Sequence, residues 1–154
     1  MKYYDEPIEI SADVWAELLV DRTVTEERDL IVLRLVYESV NHEMHASDIA
    51  PHLNYTKHAP VNSQIARFSK RVIARTGVRP PTRENGSIRW WHVPFLGCDK
   101  DDGTCSWIMR PELVEAWEQV FGQADPEIVY PGEMTVQDSA DLFEGAVRKI
   151  VVNR

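Results

Sequence analysis

Residues 46–76 read ASDIAPHLNYTKHAPVNSQIARFSKRVIART, and this stretch decides the fold that the sequence predicts. Ser47 is a suitable N-cap for a short helix, because its hydroxyl can accept a backbone N–H bond of the first turn. Pro51 is tolerated in that helix only because it lies near the start. Asn54 can end the helix in the left-handed conformation. The first half of the stretch therefore predicts a short helix followed by a turn.

The second half of the stretch predicts a longer helix over residues 61–76. Ile65, Phe68 and Val72 recur on one face at helical spacing, and Gly77 is a natural C-terminal stop. A short helix, a turn and a longer basic helix follow each other in the order of a helix-turn-helix. In that motif the first helix braces the second, and the second enters the major groove of DNA.

Beyond the helix-turn-helix the sequence becomes strand-like. Residues 87–95 are rich in aromatic and β-branched side chains, residues 97–104 form a polar turn, and residues 105–109 form a second strand. Pro111 then begins a helix that ends before Gly122. The predicted fold class is therefore α+β, a mostly helical winged helix-turn-helix domain with a β-hairpin wing and a C-terminal helix.

The segment before the helix-turn-helix predicts two further helices. The first ten residues are expected to form an extended arm, and Ser11 can cap a short helix. Thr23 followed by Glu26 fits a capping box, in which each side chain satisfies the other residue's backbone N–H. The apolar run over residues 29–40 predicts the central buried helix.

The domain organisation follows from shifts in composition. Residues 1–122 predict the DNA-recognition domain, and residues 123–141, rich in acids, proline and glycine, predict a linker. Residues 142–154, LFEGAVRKIVVNR, predict the start of a following unit. No stretch approaches the roughly 20 apolar residues that cross a bilayer, and the start lacks the order of a signal peptide. We therefore expect a cytoplasmic protein with no membrane partner.

The charge of the chain is unevenly distributed. The net charge is −8, yet residues 50–98 contain eight basic residues and a single acid, Glu84, which gives a local charge of +7 and leaves −15 elsewhere. Such asymmetry is typical of a phosphate-facing surface on an acidic body. A solvated basic helix face is the alternative, but it does not easily explain a run that continues beyond one helix.

Residues near the start of the longer helix are candidates for reading bases. Asn62, Ser63 and Gln64 occupy its first turn; Asn and Gln can pair bidentately with adenine, and Arg with guanine. Helix capping or simple exposure is the alternative role for Asn62 and Gln64. Lys70 and Arg71 suit phosphates. The predicted DNA-binding residues are Tyr55, Lys57, His58, Asn62, Ser63, Gln64, Arg67, Lys70, Arg71, Arg83 and Arg89.

Cys98 and Cys105 flank the predicted hairpin turn and could face each other across it. In a cytosolic protein two reduced thiols are expected, and their spacing does not fit a zinc knuckle. We therefore expect no metal and no cofactor.

Several segments resemble a known family. Residues 46–81, RWWHVPF at 89–95 and WIMRPELVEAWEQV at 107–120 are similar to the N-terminal domain of bacterial HNH-type restriction endonucleases. LFEGAVRKIVVNR resembles the junction that leads into the HNH nuclease domain of those proteins. The histidine–asparagine–histidine constellation of that nuclease does not occur here, since the histidines stand at 42, 45, 52, 58 and 92. The resemblance implies a recognition module, with no catalytic residue among these 154.

Many enzymes of this kind act only on modified DNA, so the resemblance implies a reader of methylated bases. Trp90 and Trp91 lie in the predicted wing strand, where alternation sends one indole to the core and the other toward DNA. A flat indole packs well against a methyl group. Burial of both in the core is the alternative. The predicted partner is double-stranded methylated DNA, with N6-methyladenine favoured over modified cytosine.

Two other functions fit parts of the pattern. A repressor-type winged helix that reads unmodified DNA needs the same basic helix, and it predicts a homodimer on a palindromic site. A protein-binding or inhibitor module whose acidic body mimics nucleic acid is suggested by the −15 outside residues 50–98.

Overall fold

The computed structural model describes residues 2–99 and 105–122, in which helices alternate with short strands. The helices are α1 (Ala12–Leu19), α2 (Glu27–Glu38), α3 (Ala46–Ile49), α4 (Ala59–Thr76) and α5 (Pro111–Phe121). The strands are β1 (Lys2–Tyr4), β2 (Glu43–His45), β3 (Phe95–Asp99) and β4 (Cys105–Met109). Single 3-10 turns lie at Val40–His42, Ala50–Leu53 and Trp90–His92. The predicted linker, 123–141, and the predicted following unit, 142–154, lie outside the described residues.

The four strands form one antiparallel sheet in the order β1-β3-β4-β2. β3 and β4 pair along their whole length as a hairpin, from Phe95 opposite Met109 to Asp99 opposite Cys105. β2 pairs with β4, and β1, which belongs to the predicted extended arm, pairs with β3. The predicted α+β class is confirmed.

The first strand of the hairpin lies later in the chain than the sequence predicts. The prediction of a strand over residues 87–95 is wrong, since Trp90–His92 form a 3-10 turn and β3 begins only at Phe95. The buried ring of His92 contacts the carbonyl oxygen of Phe95 at 2.6 Å, and the Arg110 guanidinium donates to the carbonyl of His92 at 2.7 Å. These side chains satisfy backbone groups that would otherwise need a strand partner.

The helix caps are partly as predicted. Ser11 caps α1, because its hydroxyl accepts a backbone N–H at 3.3 Å. The capping box of α2 joins Glu26 and Asp29, with the backbone N–H of Glu26 donating to the Asp29 carboxylate at 2.8 Å. The predicted box between Thr23 and Glu26 is wrong, since the Thr23 hydroxyl donates to Asp21 at 2.6 Å instead.

α2 is the buried helix at the centre of the molecule, as predicted. Leu30 and Leu33 have no exposed surface, whereas Val40, which the prediction included, lies beyond the end of α2 and is 84% exposed. The core continues into α4, whose Phe68 stacks on Trp15 of α1 with ring centroids 6.5 Å apart. No helix within the described ranges is long and apolar enough to cross a membrane.

α3 and α4 follow each other as the sequence predicts, with small shifts at their starts. α3 begins at Ala46, so Ser47 lies inside its first turn and does not cap it. Asn54 closes the following 3-10 turn with φ of 63°, which confirms its left-handed conformation. α4 begins at Ala59 and ends at Gly77, where φ is 69°.

Cys98 and Cys105 lie on opposite faces of the hairpin. Cys98 stands opposite Ser106, and Cys105 stands opposite Asp99. Because neighbouring residues of a strand point to opposite faces, the two side chains diverge. The prediction that they face each other is therefore wrong, and no disulfide joins these two described cysteines.

Candidate nucleic-acid interface

The outward face of α4 carries an uninterrupted row of polar and basic side chains. Asn62, Ser63, Arg67 and Lys70 are exposed along it, while Val61, Ile65, Phe68 and Val72 are buried on the opposite side. The helix spans 18 residues without one acid. Lys57 and His58, just before the helix, are also exposed. The structure thus places six of the predicted DNA-binding residues just before α4 and along the outward face of its first two thirds.

Gln64 does not belong to this row, and its prediction as a base-contacting residue is wrong. Its side chain is 2% exposed, and its amide donates to the Asp29 carboxylate at 2.6 Å. Its amide oxygen accepts a hydrogen bond from Arg67 at 3.1 Å. Gln64 therefore connects α4 to α2 and helps to orient Arg67, which is exposed.

Arg71 is also directed inward, so the prediction that it contacts phosphate is not supported by its geometry. Its guanidinium donates to the Asp29 carboxylate at 2.5 Å and to the carbonyl oxygen of Val24 at 2.7 Å. Burial raises the pKa of Asp29, while the hydrogen bonds from Gln64 and Glu26 and the charge of Arg71 oppose that rise. The cation of Arg71 thus compensates a buried carboxylate.

The free positive surface is consequently smaller than the local charge of +7 suggests. Besides Arg71, Arg75 pairs with Asp21 and donates to the Thr23 hydroxyl at 2.6 Å. Arg83 is exposed, but its guanidinium donates to the carbonyl oxygen of Ile88 at 2.9 Å and closes its own loop.

Tyr55 and Arg89, two further predicted DNA-binding residues, each contact a side chain from a distant segment. The hydroxyl of Tyr55 accepts a hydrogen bond from Arg28 at 3.1 Å. The Arg89 guanidinium lies 4.2 Å from the ring centroid of Tyr4. Neither Arg28 nor Tyr4 was predicted to be near this surface, because each belongs to a distant segment and no local pattern marks it.

Trp90 and Trp91 diverge, although they lie in a 3-10 turn and not in a strand. Trp90 packs beside α4, where the ammonium of Lys70 lies 5.5 Å from its ring centroid. Trp91 lies against the sheet, so close to Gly97 that a Cβ there would be 2.3 Å from the indole. Tyr4 meets the edge of Trp91 at 5.5 Å between centroids. The two indoles thus contact different elements, but both are half-buried against the core, which differs from the predicted split into one core and one outward indole.

A cavity of about 370 Å³ opens between the start of α4 and the sheet. Trp91 is one of its walls, whereas Trp90 is not among its lining residues. Its lining includes Ser47, His58, Asn62, Trp91, Cys105 and Trp107. The sequence analysis named Asn62 and Trp91 but missed the buried Trp107, because only the folding of the hairpin beside α4 brings the three together.

The turn that carries Trp91 is anchored through its next residue, His92, which is fully buried. One ring nitrogen lies 2.6 Å from the Phe95 carbonyl oxygen, and the other lies 2.7 Å from the Glu6 carboxylate. Arg110 also approaches the first nitrogen, at 3.3 Å. The ring therefore ties the Trp91 turn to the N-terminal arm.

The buried ring of His92 lies between a carboxylate, Glu6, and a guanidinium, Arg110. Its hydrogen bond is one cause that lowers the pKa of Glu6, after a backbone hydrogen bond within Glu6. Burial lowers the pKa of Arg110 to about 10. Arg110 stays charged at neutral pH and donates to the backbone carbonyl of Glu6 at 2.9 Å. The N-terminal arm is thus bound at Glu6 through two groups, its carboxylate to His92 and its backbone carbonyl to Arg110.

No protein-family model, curated protein or solved structure matches this chain. Among the described residues, no group of three or more His, Cys, Asp or Glu side chains is arranged to hold a metal ion.

Proposed function

We propose that this chain is a winged-helix module that binds double-stranded DNA, with α4 in the major groove and the β3–β4 hairpin as the wing. Two features support the architecture: the chain order α2-β2-α3-α4-β3-β4, and the pairing of β2 with β4 beside the hairpin. A reading helix braced by a preceding shorter helix is the arrangement of helix-turn-helix proteins.

The observation that carries the proposal is the exposed face of α4. It presents Asn62, Ser63, Arg67 and Lys70 on a helix without acids, and Lys57 lies just before it. Amide and guanidinium groups read base edges, and ammonium groups neutralise phosphates. The acidic remainder of the chain lowers the affinity for nucleic acid elsewhere on the surface.

The cavity beside Asn62 supports a modified base as the target. An Asn amide suits the hydrogen-bonding edge of adenine, and the indole of Trp91 offers a flat apolar wall for a methyl group. N6-methyladenine is therefore favoured over modified cytosine. Following the resemblance to HNH-type restriction endonucleases, we place this module as the recognition part of such an enzyme and assign catalysis to none of its residues.

The test is equilibrium binding to three matched duplexes that are unmodified, adenine-methylated or cytosine-methylated, measured over a range of salt concentrations. We expect the tightest binding to the adenine-methylated duplex, and an affinity that falls steeply with salt because counterions are released. Lys70→Ala should weaken binding to all three duplexes alike and reduce the salt slope by about 1. Arg22→Ala, a change of equal charge at the α1–α2 connection, is the matched control and should leave the affinities unchanged.

Two other results of this binding assay would each support a different function. Equal affinity for the three duplexes would overturn the modified-base reader and favour a repressor-type reader of unmodified DNA. Absence of salt-dependent binding to every duplex would overturn DNA binding and favour the acidic protein-binding module.

A further inference from the structure

The cavity between α4 and the sheet has the size and lining of a site for a whole base. Its volume is about 370 Å³, which falls in the range of roughly 300–1,000 Å³ typical of ligand pockets. The indole of Trp91 forms one wall, and Trp107, which is 2% exposed and stacked on Phe95, lies deeper in the lining. Asn62 and His58 contribute polar groups from the start of α4.

The volume argues against a site for a methyl group alone. A methyl group is close in size to a water molecule, whose share of liquid volume is about 30 Å³. A methyl that projects from an intact duplex would therefore occupy about a tenth of the cavity. The rest of the aromatic wall would stay in contact with water, and its apolar surface would gain nothing from burial.

The orientation of the methyl group in N6-methyladenine also favours a site for a base outside the duplex. In a paired base the remaining N6–H must face thymine, so the methyl group turns toward N7 and covers the edge that an Asn amide would bond. An unpaired base can rotate its methyl group to the other side. It then presents N6–H and N7 together to Asn62, while its ring stacks on Trp91.

We infer that the cavity binds the methylated adenine as an extrahelical base, stacked on Trp91 and hydrogen-bonded to Asn62; this inference rests on the proposed function. Trp91 supplies the stacking surface that replaces the lost neighbours in the duplex. Lys57, Arg67 and Lys70 are exposed before and along the outward face of α4, so their cations are available to the phosphates that flank the displaced nucleotide.

The experiment compares full-chain binding to duplexes that carry one N6-methyladenine opposite thymine, opposite cytosine or opposite an abasic site. Removing the base pair lowers the cost of extrusion, so we expect the last two duplexes to bind about tenfold tighter than the first. The same mismatch placed several base pairs away is the DNA control and should give no gain. In the paired duplex, the thymine left behind should become reactive to permanganate when protein binds.

Trp91→Ala should abolish the preference for the methylated base and the gain from the mismatch, whereas Trp90→Ala should retain both. Asn62→Ala removes an exposed side chain, so it tests the same site without threatening the fold, and it should weaken binding of the mismatched methylated duplex by about tenfold. If the wild-type chain prefers methylated DNA, but the mismatch gives no gain and the thymine stays unreactive, extrusion is refuted while the reader function stands. Failure to bind any duplex would refute both.

Discussion

Gly97→Ala is the sharpest test of how Trp91 is seated. A Cβ at position 97 would lie 2.3 Å from Cη2 and 2.5 Å from Cζ3 of the Trp91 indole. Carbon atoms pack at roughly 3.5–4.0 Å, so the indole must retreat by about 1 Å or more. Tyr4 lies at a right angle to the indole, Arg89 lies 5.9 Å from its centroid, and the cavity is the open space that the indole lines. We therefore expect the indole to move into the cavity.

Two opposing effects determine how much Gly97→Ala changes the free energy of unfolding. Overpacking of a fitted site costs about 1–3 kcal/mol, and after the opposing strand preference of alanine is subtracted we expect the free energy of unfolding of Gly97→Ala to fall by roughly 0.5–2 kcal/mol. Alanine itself suits a strand better than glycine by about 0.5–1 kcal/mol. In a Trp91→Ala background the clash is gone, so the same change at Gly97 should stabilise the fold slightly. The sign of the effect thus reverses between the two backgrounds.

A double-mutant cycle measures this coupling. Urea denaturation of the wild type, both single variants and the double variant gives the four free energies, provided that the m-values agree. Gly97→Ala should also lose methylation preference in the binding assay, since its indole intrudes on the base site. An equal cost of Gly97→Ala in both backgrounds would show that the indole does not rest on Gly97.

Two further changes probe a buried carboxylate, Asp29, and an exposed carboxylate, Glu6, that contacts a buried ring. Asp29→Asn should lower the free energy of unfolding by about 1–3 kcal/mol, because the new amide N–H groups would face the donors of Arg71 and Glu26. Urea denaturation measures this change in free energy. A change within about 0.5 kcal/mol would contradict the prediction. The pKa of Glu6 is lowered in the fold, so its contribution to stability is present above its ordinary value of 4.5 and is lost as the pH falls through the folded value. Amide hydrogen exchange of β1 should therefore accelerate under acid while the amides of α2 stay protected, and Glu6→Gln should show fast exchange of β1 already at neutral pH. If the amide exchange rate of β1 changes neither with pH nor in Glu6→Gln, Glu6 does not anchor the arm.

The sequence predicts well those elements whose signals are local. The stripe of Ile65, Phe68 and Val72 predicts α4, and Asn54 and Gly77 predict the two helix ends, because periodicity and left-handed caps depend only on near neighbours. The exposed residues of α4 follow from the same periodicity. These local signals are enough to locate the candidate DNA-reading face.

The errors arise where a distant partner decides the outcome. Gln64 and Arg71 were predicted to lie on the surface because their partner, Asp29, is 35 and 42 positions away, and the pattern of neighbouring residues gives no sign of it. The turn at Trp90–His92 depends on Glu6 and Arg110 from opposite ends of the described chain. Aromatic composition alone favours a strand there, and only these long-range hydrogen bonds replace the strand with a turn.

The buried carboxylate of Asp29 has a consequence for how sequences related to this one can diverge. Gln64 and Arg71 each satisfy one of its oxygens, so replacing any member alone leaves a buried polar group unmatched. Replacing all three together with apolar side chains of similar volume should cost less than the sum of the single changes, although the backbone N–H of Glu26 and the carbonyl of Val24 still lose their partners. Descendants of a common ancestor should therefore keep positions 29, 64 and 71 as a set or exchange them as a set. The exposed positions Asn62, Ser63 and Lys70 take no part in this network, so if α4 reads DNA as proposed, they are free to vary with the sequence that each descendant binds.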